Sequence, residues 1–231
     1  MAEMPRDADS TERHLSVVRR HMRLCRSVKG ADFLIVAIEP QYKRQQDTLA
    51  AKEAANEAEE DAQDDLELRG RESADILRTT AERAKQYDRE NPGESTFAKV
   101  FPEGGYSDFI ASNGTVSSIT LSLIATRIKD LGAAHALATL GADYTTRAAV
   151  LETAQKTLDD AHRATKLAEA EDELAQAALR RAYEANWLDA RKKFGRVQSE
   201  RLFPRFRRRK GADEGESGSE GGGGVGGPPP T

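Results

Sequence analysis

Apolar positions recur at helical spacing along most of this chain. Leu15, Val18, Met22 and Cys25 follow one another at steps of three and four, which places them on one face of a helix. Asp9 followed by Glu12 has capping-box spacing, with Asp in place of Ser or Thr, and Gly30 marks the end. The pattern predicts a first helix over about 10–29.

After Asp32, the apolar run from Phe33 to Ile38 opens a second helix that extends to Asn91-Pro92-Gly93, about 32–90. Pro40 should kink it or restart it, and Gly70 should cost about 1 kcal/mol relative to alanine. Its stripe runs through Tyr42, Leu49, Ala51, Ala55, Ala58, Ala62, Leu66, Ser73, Ile76 or Leu77, Ala84 and Tyr87. Alanine lets two helices approach closely but buries little area per residue, so such a stripe needs length.

Periodicity lapses over 92–113, where Phe97, Phe101, Tyr106 and Phe109 concentrate aromatic side chains. A loop that apolar must lie on another element. From Ala111 to Thr126 there is no charge, and Ile119, Leu121, Leu123, Ile124, Ile128 and Leu131 cover a wide face. This predicts a buried third helix over about 115–140. The β-branched content also suits a strand, the competing assignment. A second long helix follows over about 143–196, with a stripe through Tyr144, Leu151, Leu158, Ala161, Leu167 or Ala168, Leu174, Ala178, Ala182, Trp187 or Leu188 and Phe194. Gly30-Ala31-Asp32 is echoed by Gly141-Ala142-Asp143, and Val100-Phe101-Pro102 by Leu202-Phe203-Pro204. These echoes suggest a duplicated helical hairpin.

The expected architecture is therefore all-α. If short connections set an up-and-down path, the two long helices run roughly parallel. The two short helices and the first halves of the long ones then form a four-helix head. The rest of the long helices extends as a coiled-coil-like stalk, with the 92–113 loop retracing its length. Residues 1–9 are expected to be a disordered start and 10–204 the elongated bundle. Residues 205–231 form a basic segment running into a disordered Gly/Pro tail.

Composition sharpens this picture. Charged residues are 32% of the chain and aromatics 6%, a mixture that disfavours a thick core and suits long helices with narrow stripes. The formal net charge of −4 selects no polyanionic partner by itself. Cys25 is the single cysteine, so neither an intramolecular disulfide nor a multi-cysteine metal cluster can form. Phe33 to Ile38 is too short an apolar run to cross a bilayer. No apolar leader core precedes it, and the expectation is a cytoplasmic protein.

Catalytic signatures do not emerge. The chain has no phosphate-binding glycine loop followed by Lys, no H-E-x-x-H and no G-x-S-x-G. Gly104-Gly105 reads as a turn. A di-iron bundle needs paired Glu-x-x-His motifs; Asp159 and His162 alone have that spacing, with Asp for Glu. His135 reads as a hydrogen-bonded structural residue, and Asp61, Asp64, Asp65 and Glu67 as a solvated helix face. No metal or cofactor is expected.

Two basic clusters carry the remaining chemistry. Arg13, Arg19, Arg20, Arg23, Arg26 and Lys29 lie opposite the apolar stripe of the first helix. The plainer explanation is that they pair with Asp47, Glu53 or Glu57 of the second. Arg201, Arg205, Arg207, Arg208, Arg209 and Lys210, interleaved with Phe203 and Phe206, form the second cluster. Such a run can neutralise phosphates while Phe stacks on bases, or lie on an anionic surface. It could equally complement a helix C-terminus, or the acidic run Glu57 to Glu67 of a second copy. The leading expectation is a non-enzymatic scaffold that presents surfaces to other proteins, a homodimer included. Binding of nucleic acid or an anionic surface through residues 201–210 is the alternative, and a metal-binding bundle enzyme is the remote one.

Overall fold

In a computed structural model of the chain, residues 9–204 are described; the expectations of disorder before them and in the tail lie outside these residues. The chain is all-α, with no strand among the described residues. Its helices are α1 (Thr11–Arg26), α2 (Asp32–Glu90), α3 (Thr96–Val100), α4 (Ser118–Asp130) and α5 (Leu140–Leu202). A 3-10 turn at Tyr106–Phe109 interrupts the 92–113 loop.

Helix ends follow local chemistry. Ser10, not Asp9, caps α1: its Oγ accepts from the Arg13 backbone N–H at 3.4 Å. Ser117 does the same for α4, accepting from Thr120 N–H at 3.2 Å. The third helix is shorter than expected because Gly132, at φ 95°, ends it soon after Asp130, and 131–139 form turns instead. Helix α2 continues through Pro40, which is exposed. Gly70 is a packing requirement rather than a tolerated fault. The Val116 N–H donates to its carbonyl at 3.2 Å, and a Cβ there would lie 2.7 Å from the Cβ of Thr115.

The two long helices are antiparallel, contrary to the parallel pair expected from the sequence. Asn186 Nδ2 donates to the Leu34 carbonyl at 2.7 Å, Thr165 Oγ1 to Ala55 at 3.1 Å, and Tyr144 OH to Ile76 at 3.3 Å. Position along α2 rises as position along α5 falls. The reason lies at the turn-around. Phe97, Phe101 and Phe109 pack at the far end of α2; the chain then runs back only as far as Gly70, where Val116 is bonded, and α4 returns it to the far end, so α5 starts there. Asp88 fixes that fold-back by accepting from the N–H groups of Thr96 and Phe97 at 2.7 and 2.9 Å. Arg127 holds the same loop through the Val100 carbonyl at 3.1 Å and both oxygens of Glu103.

No four-helix head exists among the described residues; the core is divided between two three-helix ends. One packs Leu77, Ala81 and Ala84 of α2 against Leu121, Ile124 and Ile128 of α4 and Tyr144 and Leu151 of α5. The other packs Val18, Met22 and Cys25 of α1 against Leu34 and Ile38 of α2 and Leu179, Tyr183 and Ala190 of α5. Phe101 is buried in the first cluster and Phe203 in the second, so each echoed Phe-Pro stop returns to a core opened by the other half's short helix.

Between these ends only two helices remain. Ala62, Ala154, Thr165 and Ala168 are buried there, while Ala51 and Ala58 are exposed. Where this stretch meets the start of α1, the buried carboxylate of Asp172 accepts from Thr11 Oγ1 at 2.9 Å, Gln45 Nε2, and Thr48 Oγ1 at 3.4 Å, with Lys52 Nζ at 3.7 Å. A buried group so fully partnered fixes the register of α1, α2 and α5 together.

Candidate polyanion-binding surface

The chemistry that the sequence left in two separate places meets at the α1 end. Gly195 adopts φ 73° and ψ 177°, a backbone conformation open essentially to glycine, and breaks α5 there. Residues 196–202 reverse and pack beside the helix they came from. Phe203 stacks against His21 at 4.1 Å between ring centroids and meets Tyr183 and Trp187 edge-on at 5.0 and 5.1 Å.

His21 is the keystone of this return. It is fully buried, with Nδ1 2.9 Å from the Leu202 carbonyl oxygen and Nε2 3.3 Å from Asn186 Nδ2. A carbonyl can only accept and an amide nitrogen can only donate. The imidazole is therefore neutral, protonated at Nδ1 and accepting at Nε2. Burial supports the same state, pushing its pKa down to about 4 while the Leu202 carbonyl acts in the opposite direction. Cys25 sits one turn along, its thiol 3.7 Å from the ring and pushed up to about 12 by burial and, less, by Asp32. Sequence reading missed His21 and Asn186, because nothing in their spacing shows that Leu202 folds back onto them.

This anchor brings the root of the basic segment onto α1. Arg201 is exposed in the last turn of α5, and Phe203 and Pro204 are buried beside α1. Arg205, Phe206, Arg207, Arg208, Arg209 and Lys210 lie outside the described residues. The exposed Arg19, Arg20, Arg23 and Arg26 of α1, and Lys29 in the turn after it, occupy the same end.

The pairing expected for α1 does not form. Asp47, Glu53 and Glu57 make no ion pair with these arginines among the described residues. Arg19 instead donates through Nε to the Tyr42 hydroxyl at 2.9 Å, and Arg13 bridges Asp9 at 3.2 Å. Arg20, Arg23, Arg26 and Lys29 make no ion pair among the described residues. Other cations gather nearby: Lys193 lies 4.2 Å above the Phe33 ring and donates to the Gly30 carbonyl at 3.0 Å. Lys192 and Arg196 are exposed beside it, each paired to a neighbour on its own helix.

Charge is consequently sorted along the molecule. Over 11–44 and 180–204, fifteen Lys and Arg stand against six Asp and Glu. Over 45–75 and 145–179, eighteen acidic residues stand against seven basic ones. A net charge near zero for the whole chain hides two strong fields of opposite sign.

Other polar clusters have local explanations. His135 accepts from the Leu137 N–H at 3.1 Å, meets Thr96 Oγ1 at 3.3 Å and stacks on Tyr87, so it secures the 92–100 loop. The exposed His162 pairs with the half-buried Glu59 across the two long helices at 2.9 Å, not with Asp159. No group of three or more His, Cys, Asp or Glu is placed to hold a metal ion among the described residues. No helix among them is long and apolar enough to cross a membrane. A shallow groove of about 730 Å3 between the end of α4 and the start of α5 has Lys129 as its sole ionisable lining residue. No protein family, curated protein or solved structure matches the chain.

Proposed function

We propose that this chain is a non-enzymatic interaction protein, a helical rod whose α1 end binds the phosphate backbone of a nucleic acid. The supporting observation is the convergence at one end of Arg20, Arg23 and Arg26 of α1 and Lys29 just after it, without ion pairs among the described residues, with Arg201, the root of the 205–210 segment. Guanidinium groups without carboxylate partners are poised for charge-assisted hydrogen bonds to phosphate oxygens.

Nucleic acid is favoured over lipid by what α1 does with its apolar side. Leu15, Val18, Met22 and Cys25 are buried in the core, so α1 has no apolar stripe left to insert into a bilayer. Its exposed residues are polar, and basic from Arg19 onward. Phe206, set among four arginines and Lys210, adds an aromatic face for an unstacked base.

Anisotropy titration of the full chain with a labelled single-stranded oligonucleotide, repeated over a salt series, tests the reading. The logarithm of the affinity should fall steeply with the logarithm of salt. Replacing Arg20, Arg23, Arg26 and Lys29 with Gln should flatten that slope by about one for each phosphate that is no longer neutralised. A second variant with Gln at Arg201, Arg205, Arg207, Arg208, Arg209 and Lys210 should flatten it further. Undiminished affinity in both variants overturns the assignment. Binding to phosphatidylserine vesicles without binding to the oligonucleotide would move the site to a lipid surface.

A further inference from the structure

The face of α5 turned away from the rod carries a leucine seam that no other described residue covers. Leu167, Leu174 and Leu188 are 62%, 66% and 56% exposed, and they share one heptad register with Arg181. Ala170 and Ala177 lie between them at the alternate step of three, Ala170 exposed and Ala177 half-buried. The inward side of the same stretch is set by Ala168, Ala175, Leu179, Tyr183, Asn186 and Ala190, all buried. Two opposed stripes on one helix mean two partners: α1 and α2 take one stripe, and the other has no partner among the described residues. Helix α2 offers no such seam, with exposed Leu68 and Val36 far apart.

We propose that this seam pairs with the same seam of a second copy, in an antiparallel two-fold dimer. Charge complementarity chooses both occupant and direction. Glu171 and Glu173 precede the midpoint of the seam and Arg181 and Arg191 follow it. All four are exposed, and none forms an ion pair among the described residues. A parallel pair would set carboxylate beside carboxylate and guanidinium beside guanidinium. An antiparallel pair centred between Ala177 and Ala178 sets Leu167 beside Leu188 of the partner subunit and Glu173 within reach of Arg181 of the partner subunit. The two-fold axis repeats each pairing, as an isologous interface requires. Alanine at the midpoint allows close approach of the two backbones. This proposal does not depend on nucleic-acid binding, because it uses the outer face of α5 rather than the exposed face of α1.

Sedimentation equilibrium of the full chain over a concentration series is the test. The wild-type protein should reach the mass of a dimer, and Leu188→Glu, which sets a carboxylate beside the partner's Leu167, should weaken association at least about tenfold while keeping its helical circular dichroism. Arg181→Glu should weaken it as well, and the double variant Glu173→Arg/Arg181→Glu should restore it. Direction is read from disulfides: a mixture of Leu167→Cys and Leu188→Cys chains should cross-link to each other, and Leu167→Cys alone should not. Native Cys25 is fully buried and stays out of this reaction. A monomer at every concentration, dimerisation untouched by Leu188→Glu, or self-cross-linking of Leu167→Cys would each overturn the proposal.

Discussion

At the scale of single residues, His21 couples pH to the α1 end. Its pKa in the folded chain, about 4, lies below the ordinary 6.5, so the folded state binds fewer protons than the unfolded one between these values. The stability it contributes is complete above about pH 6.5 and drains as the pH falls toward 4. The full effect is on the order of 3 kcal/mol. Trp187 reports it directly, being the sole tryptophan and lying against Phe203. Denaturation followed by Trp187 fluorescence should give a midpoint that drops between pH 6.5 and 5. His21→Gln, which is neutral and can still donate and accept, should remove that part of the drop. A variant that keeps the wild-type dependence would show that another group is responsible.

Glycines decide the next scale, that of the elements. Gly70→Ala adds a good helix former to the middle of a long helix, yet the new Cβ would meet Thr115 at 2.7 Å. Steric overlap should outweigh the gain of about 1 kcal/mol in propensity, for a net loss of about 1–3 kcal/mol by urea denaturation. Gly195→Ala has open space around its Cβ but the wrong backbone, so it should straighten α5 and pull 196–203 off His21. Cys25 would then meet solvent. A thiol reagent that labels native protein only on unfolding should label Gly195→Ala many times faster.

The contrast between these two glycines shows what the sequence could reveal. Helix spans were legible because periodicity is a local property: α2 spans the predicted 32–90, and Leu15, Val18, Met22 and Cys25 are all buried. Direction was not. It depends on where the 92–113 loop docks, and that rests on Asp88 reaching two amides and on Arg127 gripping Glu103. Neither interaction has a sequence period. The basic residues of the candidate site were legible as two clusters. Their meeting was hidden in one glycine and one buried histidine.

On the scale of the whole molecule, stability is unevenly distributed. Large side chains are packed at the two ends, while the middle holds on small residues such as Ala62, Ala154 and Thr165. The 59 residues of α2 span about 90 Å at 1.5 Å per residue. Amide hydrogen exchange should be slowest near Leu34 and Leu77 and faster around residues 52–60, where backbone hydrogen bonds lie closest to solvent. Uniform protection along α2 would contradict this division of the core.

The return of residues 196–204 to α1 also fixes how the rod would carry tension. Asp9 lies beside Gln176, and Phe203 lies on His21, so a load applied through residues 9 and 204 enters the same end of the molecule. Pulled there, the packed layers peel apart in sequence: the Phe203 plug first, then α1, then the long pair from its open end. Gripped instead at residue 9 and at the 131–139 turns, the same two helices must slide past each other with every cross-helix bond strained together. One fold thus offers a soft axis and a stiff one, and the attachment points choose between them.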